Sequence, residues 1–138
     1  MDQRLEEIIG RISSYSIYMP EGFSEGLKEQ FKNMLSYDAW EPEDKLPEID
    51  TLELFFKVLF ELEAKQRPGI GSNGLGSITM SWENSKTKTR LIIECLHTGK
   101  LSVIVKNSND QRAIFDGFGP EDLKELLRPW KLQQLGIL

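Results

Sequence analysis

The chain has 138 residues, of which 39% are hydrophobic and 28% charged, values typical of a single globular domain. Its one cysteine excludes an intramolecular disulfide, and no apolar run approaches the roughly 20 residues of a membrane span. The N-terminus is acidic and lacks the apolar segment of a secretory signal, so we expect a cytoplasmic protein that does not associate with membranes.

The net charge of −5 is unevenly divided along the chain. Residues 1–63 contain 15 acidic and 6 basic side chains, a balance of −9, whereas residues 64–138 contain 7 acidic and 11 basic ones, a balance of +4. An acidic surface repels phosphates, so the first half disfavours direct binding of nucleic acid. It suits a protein partner with a basic surface, although acidic runs also occur simply as solvated helix faces.

Three segments near the N-terminus have the apolar spacing of amphipathic helices. The first covers residues 2–14, the second begins near Pro20, and the third covers residues 50–64. In the third segment, Asp50 and Glu53 have the spacing of a capping box, and the apolar stripe is the widest of the three. We therefore expect the third helix to be the most buried.

Strand-type alternation follows a glycine-containing connection at residues 65–76. The predicted strands are residues 77–82, 90–96, 101–106 and a shorter one at 111–116. Short polar turns separate them, which favours an antiparallel meander because parallel strands need a long crossover. The alternation predicts one buried face, which contains Ile78, Met80, Leu91, Ile93, Val103 and Val105.

A last helix is expected after Gly119, because a proline followed by two acidic residues favours a helix start. The predicted fold class is therefore α+β, with three N-terminal helices, a four-stranded antiparallel β-meander and a C-terminal helix. We expect a single domain over residues 1–138, with a helical part at 1–64 and the sheet with its C-terminal helix at 77–130. The third and the C-terminal helices are expected to cover one face of the sheet.

The stretch from Gly69 to Gly74 matches the G-x-G-x-x-G pattern of phosphate-binding loops. A dinucleotide site needs that pattern after a strand and before a helix, so that the phosphates meet the helix N-terminus. Here the predicted order is helix, loop and strand, which favours a flexible connector. A small-ligand or nucleotide-binding domain that uses the loop from Gly69 to Gly76 is the alternative hypothesis for the function.

Cys95 and His97 are the only thiol and the only imidazole, and they lie two residues apart, with Cys95 in a predicted strand and His97 in the predicted turn after it. A catalytic pair could be drawn from them, but it would need an activated thiol and a third, orienting group, which the sequence does not indicate. Cys95 has the same alternation phase as Leu91 and Ile93, which predicts a buried, unreactive thiol. Metal ligands normally occur in threes or fours, so we expect no catalytic residues, no cofactor and no metal site.

Residues 36–47 contain two prolines and four acidic side chains and are predicted to form a loop. The acids could bind a hard cation or act in acid–base chemistry, but they lack the spacing of a calcium loop. Large aromatic residues beside acids are typical of interface anchors, although Trp40 could instead fold back as a lid on the core. The predicted partner-binding residues are Tyr37, Asp38, Trp40, Glu41, Glu43 and Asp44.

A hairpin pattern covers about a quarter of the chain. Its residues are Pro68-Gly69-Ile70, Gly76-Ser77-Ile78, Ser81-Trp82, Leu91, Ile93 and Gly99. The pattern resembles that of small uncharacterised bacterial proteins in which a helical region precedes a "P-x-I … G-x-I-x-x-x-W … L-x-I … G" hairpin. Those proteins often carry a Trp-Asp-Gly-Tyr-Gly segment upstream, where this chain has Tyr37-Asp38-Ala39-Trp40. The resemblance implies a bacterial or phage origin and no known activity.

The sequence thus predicts a non-enzymatic protein-binding module that contacts a basic protein surface. Small acidic domains without a catalytic constellation include antitoxins, immunity proteins and phage-encoded inhibitors of bacterial defence systems.

Overall fold

The computed structural model describes residues 2–36, 40–134 and 136–138. These residues form four α-helices and a five-stranded sheet. The helices are α1 (Asp2–Tyr15), α2 (Phe23–Met34), α3 (Ile49–Leu62) and α4 (Leu123–Leu127). The strands are β1 (Gly69–Gly71), β2 (Ile78–Asn84), β3 (Thr89–Cys95), β4 (Leu101–Lys106) and β5 (Arg112–Phe118). The chain is therefore of the predicted α+β class.

The sheet is an antiparallel meander in which each strand pairs with the next one along the chain. The prediction of four strands was wrong, because Gly69–Gly71 forms an additional edge strand that pairs with β2. In this pairing Gly69 lies opposite Ser81 and Gly71 lies opposite Thr79. Two of its three residues are glycines, so it carries no apolar alternation that the sequence could reveal. The last strand was also expected to be short, but it has 7 residues and is as long as β2 and β3.

The inner face of the three central strands is apolar and buried, as predicted. The six alternating residues expected there all have 0% exposure: Ile78, Met80, Leu91, Ile93, Val103 and Val105. Helix α3 packs on β2 and β3, α2 contacts β1, and α4 packs against α3. One hydrophobic core therefore contains side chains from the helical segments and from the sheet.

Helix α3 is the most buried of the three N-terminal helices, with eight of its 14 residues buried. Its predicted cap is wrong: the N-cap residue is Glu48, and Asp50 lies within the first turn. Glu53 instead reaches helix α1, where its carboxylate accepts hydrogen bonds from Arg11 at 2.8 Å and from the Tyr15 hydroxyl at 2.6 Å. These contacts across two helices replace the local capping box that the spacing suggested.

A bulge near the end of β5 sets which side chains face the core. Ser102 pairs with Asp116 and Leu101 pairs with Phe118, so Gly117 is an extra residue in the ladder. Its φ of +81° is a left-handed conformation that glycine adopts without steric cost. The extra residue keeps Phe118 on the inner face, where its ring lies 6.3 Å from that of Phe115.

None of the helices in the described part of the chain has the length and apolar character needed to cross a membrane.

Candidate functional site

Two loops that are far apart in the sequence lie side by side in the structure. We call residues 40–44 the acidic loop and residues 72–76 the glycine loop. Directly after the acidic loop, the Lys45 N–H donates a hydrogen bond to the Gly74 carbonyl at 2.8 Å, and Lys45 forms an isolated parallel bridge with Leu75. The acidic loop and the glycine loop therefore form one continuous surface.

The acidic loop has a defined conformation that its own carboxylate stabilises. The Glu41 N–H donates to Asp44 Oδ2 at 2.9 Å, and the Asp44 N–H donates back to the Glu41 carbonyl at 3.1 Å. Asp44 also lies against Gly74, where the Cβ of any larger residue would come within 2.8 Å of Asp44 Oδ1. The Asp44 carboxylate thus stabilises the turn of the acidic loop and lies close to the glycine loop.

Glu41 and Glu43 are exposed at the tip of this turn. Among the residues that the structure describes, neither carboxylate takes part in an ion pair. Both side chains therefore present uncompensated negative charge to solvent. Two other predicted site residues, Tyr37 and Asp38, lie outside the described residues.

Trp40 is half-buried and packs against the hydrophobic core. Its indole N–H donates a hydrogen bond of 2.6 Å to the carbonyl of Met34, the last residue of α2. Both contacts favour the interpretation of Trp40 as a lid over that of an interface anchor. They fix where the acidic loop begins relative to helix α2.

Two surface cavities flank the junction of the two loops. One has a volume of about 330 Å³ and lies between Trp40 and Asp44 on one side and Ser72 to Gly74 on the other. The second, of about 720 Å³, is lined by Arg4, Lys45, Leu46, Glu48, Leu75 and His97, among others. No local pattern in the sequence indicates the residues that line the second cavity, because they come from four separate segments of the chain.

The glycine loop uses its backbone N–H groups internally. The Asn73 N–H donates to Ser77 Oγ at 3.3 Å, and the Gly74 N–H donates to Ser72 Oγ at 3.4 Å. The Leu75 N–H donates to Asn73 Oδ1 at 2.8 Å. A phosphate-binding loop needs such donors free and pointing at the ligand, usually next to a helix N-terminus. Here three consecutive donors are already engaged, and the loop leads into strand β2.

Cys95 and His97 have very different surroundings. Cys95 is fully buried on the inner face of the sheet, and this burial, with a smaller contribution from the charge of Glu94, raises the pKa of its thiol to about 12. His97 is exposed in the turn between β3 and β4. A buried thiol with a raised pKa is a poor nucleophile, because only the thiolate is reactive. Among the described residues, no group of three or more His, Cys, Asp or Glu side chains could hold a metal ion.

No protein-family model matches this chain, and the searches of curated proteins and of solved structures found no significant match. The resemblance of the 68–99 hairpin to small bacterial proteins therefore stays a prediction.

Proposed function

We propose that this protein is a non-enzymatic module that binds a basic surface of another protein through its acidic loop. An antitoxin, an immunity protein or a phage-encoded inhibitor of a bacterial defence system would fit this description. The observation that carries the proposal is the pair of exposed, unpaired carboxylates, Glu41 and Glu43, on a turn that the chain itself holds in place.

The fixed conformation of this turn matters for binding. A flexible loop would lose conformational entropy when a partner immobilised it, whereas a loop that is already fixed does not incur that cost. The indole N–H of Trp40 holds the acidic loop at its first residue, and the Asp44 carboxylate closes its turn onto the Glu41 N–H. The Lys45 N–H holds the chain directly after the loop. Its carboxylates are therefore presented in one arrangement before the partner arrives.

The surrounding charge favours the same type of partner. Residues 1–63 carry a balance of −9, so a basic protein would be attracted over a distance comparable to the Debye length, about 8–10 Å at moderate salt. Exposed acids at the rim of an interface mainly increase the association rate, because they steer the encounter. We assign this role to Glu41 and Glu43.

Trp40 acts in this proposal by positioning the loop. Trp40→Ala removes half-buried ring packing and the hydrogen bond to Met34, so we expect the free energy of unfolding to fall by about 2 kcal/mol. Trp40→Phe retains most of the packing and should cost about 1 kcal/mol. The folded fraction of each variant should still bind the partner. A Trp40→Ala protein of unchanged stability that dissociates faster from its partner would instead make Trp40 an interface anchor.

The first experiment is affinity capture with the immobilised full chain from an extract of the cells that encode it. The test variant is Glu41→Lys with Glu43→Lys. The matched control is Glu6→Lys with Glu7→Lys, because these exposed acids of α1 give the same change in net charge. The proposal expects a basic protein that the wild type and the control retain and the loop variant loses. Retention of the same proteins by all three chains, or of no basic protein by the wild type, would reject it.

A second experiment uses that captured protein after purification. Stopped-flow mixing at several salt concentrations should show that the loop variant associates more slowly and with a flatter salt dependence than the wild type, while its thermal melt is unchanged. Equal association rates and equal salt slopes for the loop variant and the wild type would show that the acidic loop is not the contact site.

A further inference from the structure

The outer face of the sheet carries an apolar row that the described residues leave partly exposed. Ile92 pairs with Ile104, and Ile104 pairs with Ile114, so the three side chains lie next to one another across β3, β4 and β5. We call these three residues the isoleucine row. Ile114 is 53% exposed, and the other two are partly exposed. Isoleucine at the solvent-facing phase of three successive strands departs from the polar outer face that an antiparallel sheet usually has.

Two charged rows lie on either side of the isoleucine row, each displaced by two residues along the strands. The register of the ladders places their members next to one another across β2 to β5. The acidic row contains two carboxylates and two hydroxyls, and its members are Thr79, Glu94, Ser102 and Asp116. The basic row contains three cations and one carboxylate, and its members are Glu83, Arg90, Lys106 and Arg112.

The carboxylates of the acidic row have neutral partners. Glu94 accepts a hydrogen bond from the Asn73 amide at 3.1 Å, and Asp116 accepts one from the Ser102 hydroxyl at 2.6 Å. In the basic row, neither Arg90 nor Arg112 forms an ion pair with any residue that the structure describes. Lys106 forms an exposed ion pair with Asp110 at 3.9 Å, and Glu83 lies opposite Arg90 in the ladder. The outer face therefore places two carboxylates and two guanidinium groups, none of them in an ion pair within the described residues, on opposite sides of one apolar row.

We infer that the outer face of the sheet binds a second copy of this chain, with the two sheets packed face to face around a two-fold axis that runs along the isoleucine row. This inference concerns residues outside the acidic and glycine loops and does not depend on the function proposed for them.

The symmetry of the surface is the reason for choosing this partner. Rotation about an axis that lies along the isoleucine row, between the two sheets, leaves the position along the row unchanged and exchanges its two sides. The isoleucine row of one copy then packs on that of the other, and each acidic row faces the basic row of the other copy. A two-fold interface must be self-complementary, and this surface satisfies that condition for both apolar contact and charge.

The same rotation specifies which charges meet. Each strand lies over the same strand of the other copy and runs in the opposite direction, apart from the roughly 30° offset that sheet twist introduces. Glu94 of one copy then faces Arg90 of the other on β3, and Asp116 faces Arg112 on β5. The two-fold axis generates each contact twice, so the dimer contains four ion pairs with one sequence-defined register.

The size of the face predicts a reversible dimer. Four strands spaced about 4.8 Å apart and five residues long, at about 3.4 Å per residue, cover an area of roughly 15–20 Å on each side. A patch of that extent, about 300 Å² per copy, is smaller than the interfaces of stable complexes and fits a weak, transient one. We therefore expect the dimer to dissociate on dilution and as salt screens the ion pairs.

Sedimentation velocity of the full chain at low salt tests the inference, over about a hundredfold range of concentration that reaches the high micromolar. The wild type should shift from monomer to dimer over this range. Arg112→Asp places acids at both positions that meet on β5, and Asp116→Arg places cations at both. Each variant should weaken dimerisation by about tenfold or more, while its circular dichroism and thermal melt remain those of the wild type.

Mixing the two variants gives the decisive result. In a heterodimer of Arg112→Asp with Asp116→Arg, both β5 contacts join opposite charges again, so the equimolar mixture should dimerise more strongly than either variant alone. The register control mixes Arg112→Asp with Glu94→Arg, which has the same total charge but retains a repulsive contact on β3 and another on β5. That mixture should remain monomeric.

Three results would each overturn the inference. They are a wild type that stays monomeric over the whole range, a wild-type dimer that Arg112→Asp does not weaken, and a register control that dimerises as well as the matched mixture. The last result would show attraction between opposite net charges without the predicted strand-over-strand register.

Discussion

The two faces of the sheet are built from alternate residues of the same strands, yet their apolar side chains differ in exposure. On the inner face, α3 and the surrounding helices bury every apolar side chain of the three central strands completely. On the outer face, the isoleucine row stays partly exposed between two rows of opposite charge. The inner face is complete within one molecule, whereas the outer face has the composition of a surface that a further molecule would complete.

The difference shows that burial in this sheet is set by which elements are available to cover it. Alternation assigns each residue to a face, because successive side chains of a strand point in opposite directions. It also predicts which face is buried, but not how far the opposite face stays exposed. Both faces carry isoleucine, but the helices cover Ile93, as the alternation predicts, and leave Ile92 partly exposed.

Thiol accessibility should show the largest difference between the faces. Cys95 lies on the inner face with a raised pKa, so a neutral-pH thiol reagent should label the folded wild type only through rare opening of the structure. The comparison is Lys106→Cys in a Cys95→Ala background, which puts the only thiol on the outer face. We expect that thiol to react about 100-fold faster than Cys95 in the wild type, or more. The absorbance of the reporter group that the reaction releases measures both rates. Rates within about tenfold of each other would mean that the inner face is not closed.

Adjacent isoleucines on β3 give the next largest contrast. Ile93→Ala leaves a cavity in the core and should lower the free energy of unfolding by about 2–5 kcal/mol. Ile92→Ala removes the same atoms from the outer face and should cost less than about 1 kcal/mol. Urea denaturation at a protein concentration low enough to keep the chain monomeric measures both values. Equal losses would contradict the assignment of the two faces.

The bulge in β5 should show a smaller effect that depends on backbone conformation alone. A Cβ at Gly117 would meet nothing within 4 Å, but the residue has a φ of +81°, so Gly117→Ala should destabilise by about 1–2 kcal/mol through backbone strain. Gly10 in α1 also has open space around it and no positive φ. Gly10→Ala should therefore stabilise by roughly 0.5–1 kcal/mol. Thermal melts of the two variants should shift in opposite directions, and a stabilised Gly117→Ala would remove the case for the bulge.

The smallest effect is a pH dependence that Cys95 confers. Its folded-state pKa of about 12 lies above the ordinary value of 9.0, so its contribution to stability is fully present below pH 9 and is lost as pH rises toward 12. The stability difference between the wild type and Cys95→Ala should be constant below pH 9 and should shrink by about 1 kcal/mol between pH 9 and pH 10. Urea titrations of both proteins at each pH check this. A difference that stays constant to pH 10 would mean that the unfolded and folded thiols ionise alike.

The sequence was most informative where a pattern repeats. Alternation over β2, β3 and β4 correctly predicted the burial of six inner-face residues, because one strand face must be apolar throughout to be buried. It failed for β1, where only Ile70 carries an apolar side chain between two glycines. The capping-box spacing of Asp50 and Glu53 also placed the start of α3 incorrectly, since Glu53 binds to α1 and not to the backbone of its own first turn. Local patterns cannot anticipate such contacts with distant residues.

The candidate site was less accessible from sequence. The acidic loop and the glycine loop were recognised as separate features, but their contact through Lys45 and Gly74 joins residues about 30 positions apart. For Trp40, whose indole donates a hydrogen bond to Met34, the sequence left two alternatives open, an interface anchor and a lid on the core. The outer-face isoleucines did leave a signal, because Ile92, Ile104 and Ile114 occupy the polar phase of three successive strands. That signal is visible only when the register between the strands is known.

The sequence by itself determined the α+β class, the antiparallel order of the strands and the residues that share each face, because these follow from local periodicity and from connections too short for a crossover. Only the tertiary structure decided that Gly69–Gly71 adds an edge strand and that the acidic and glycine loops meet. It also decided that one apolar row lies between an acidic row and a basic row. These features depend on register and on packing between distant segments, where the free energy of burial comes from residues that the chain brings together only when it folds.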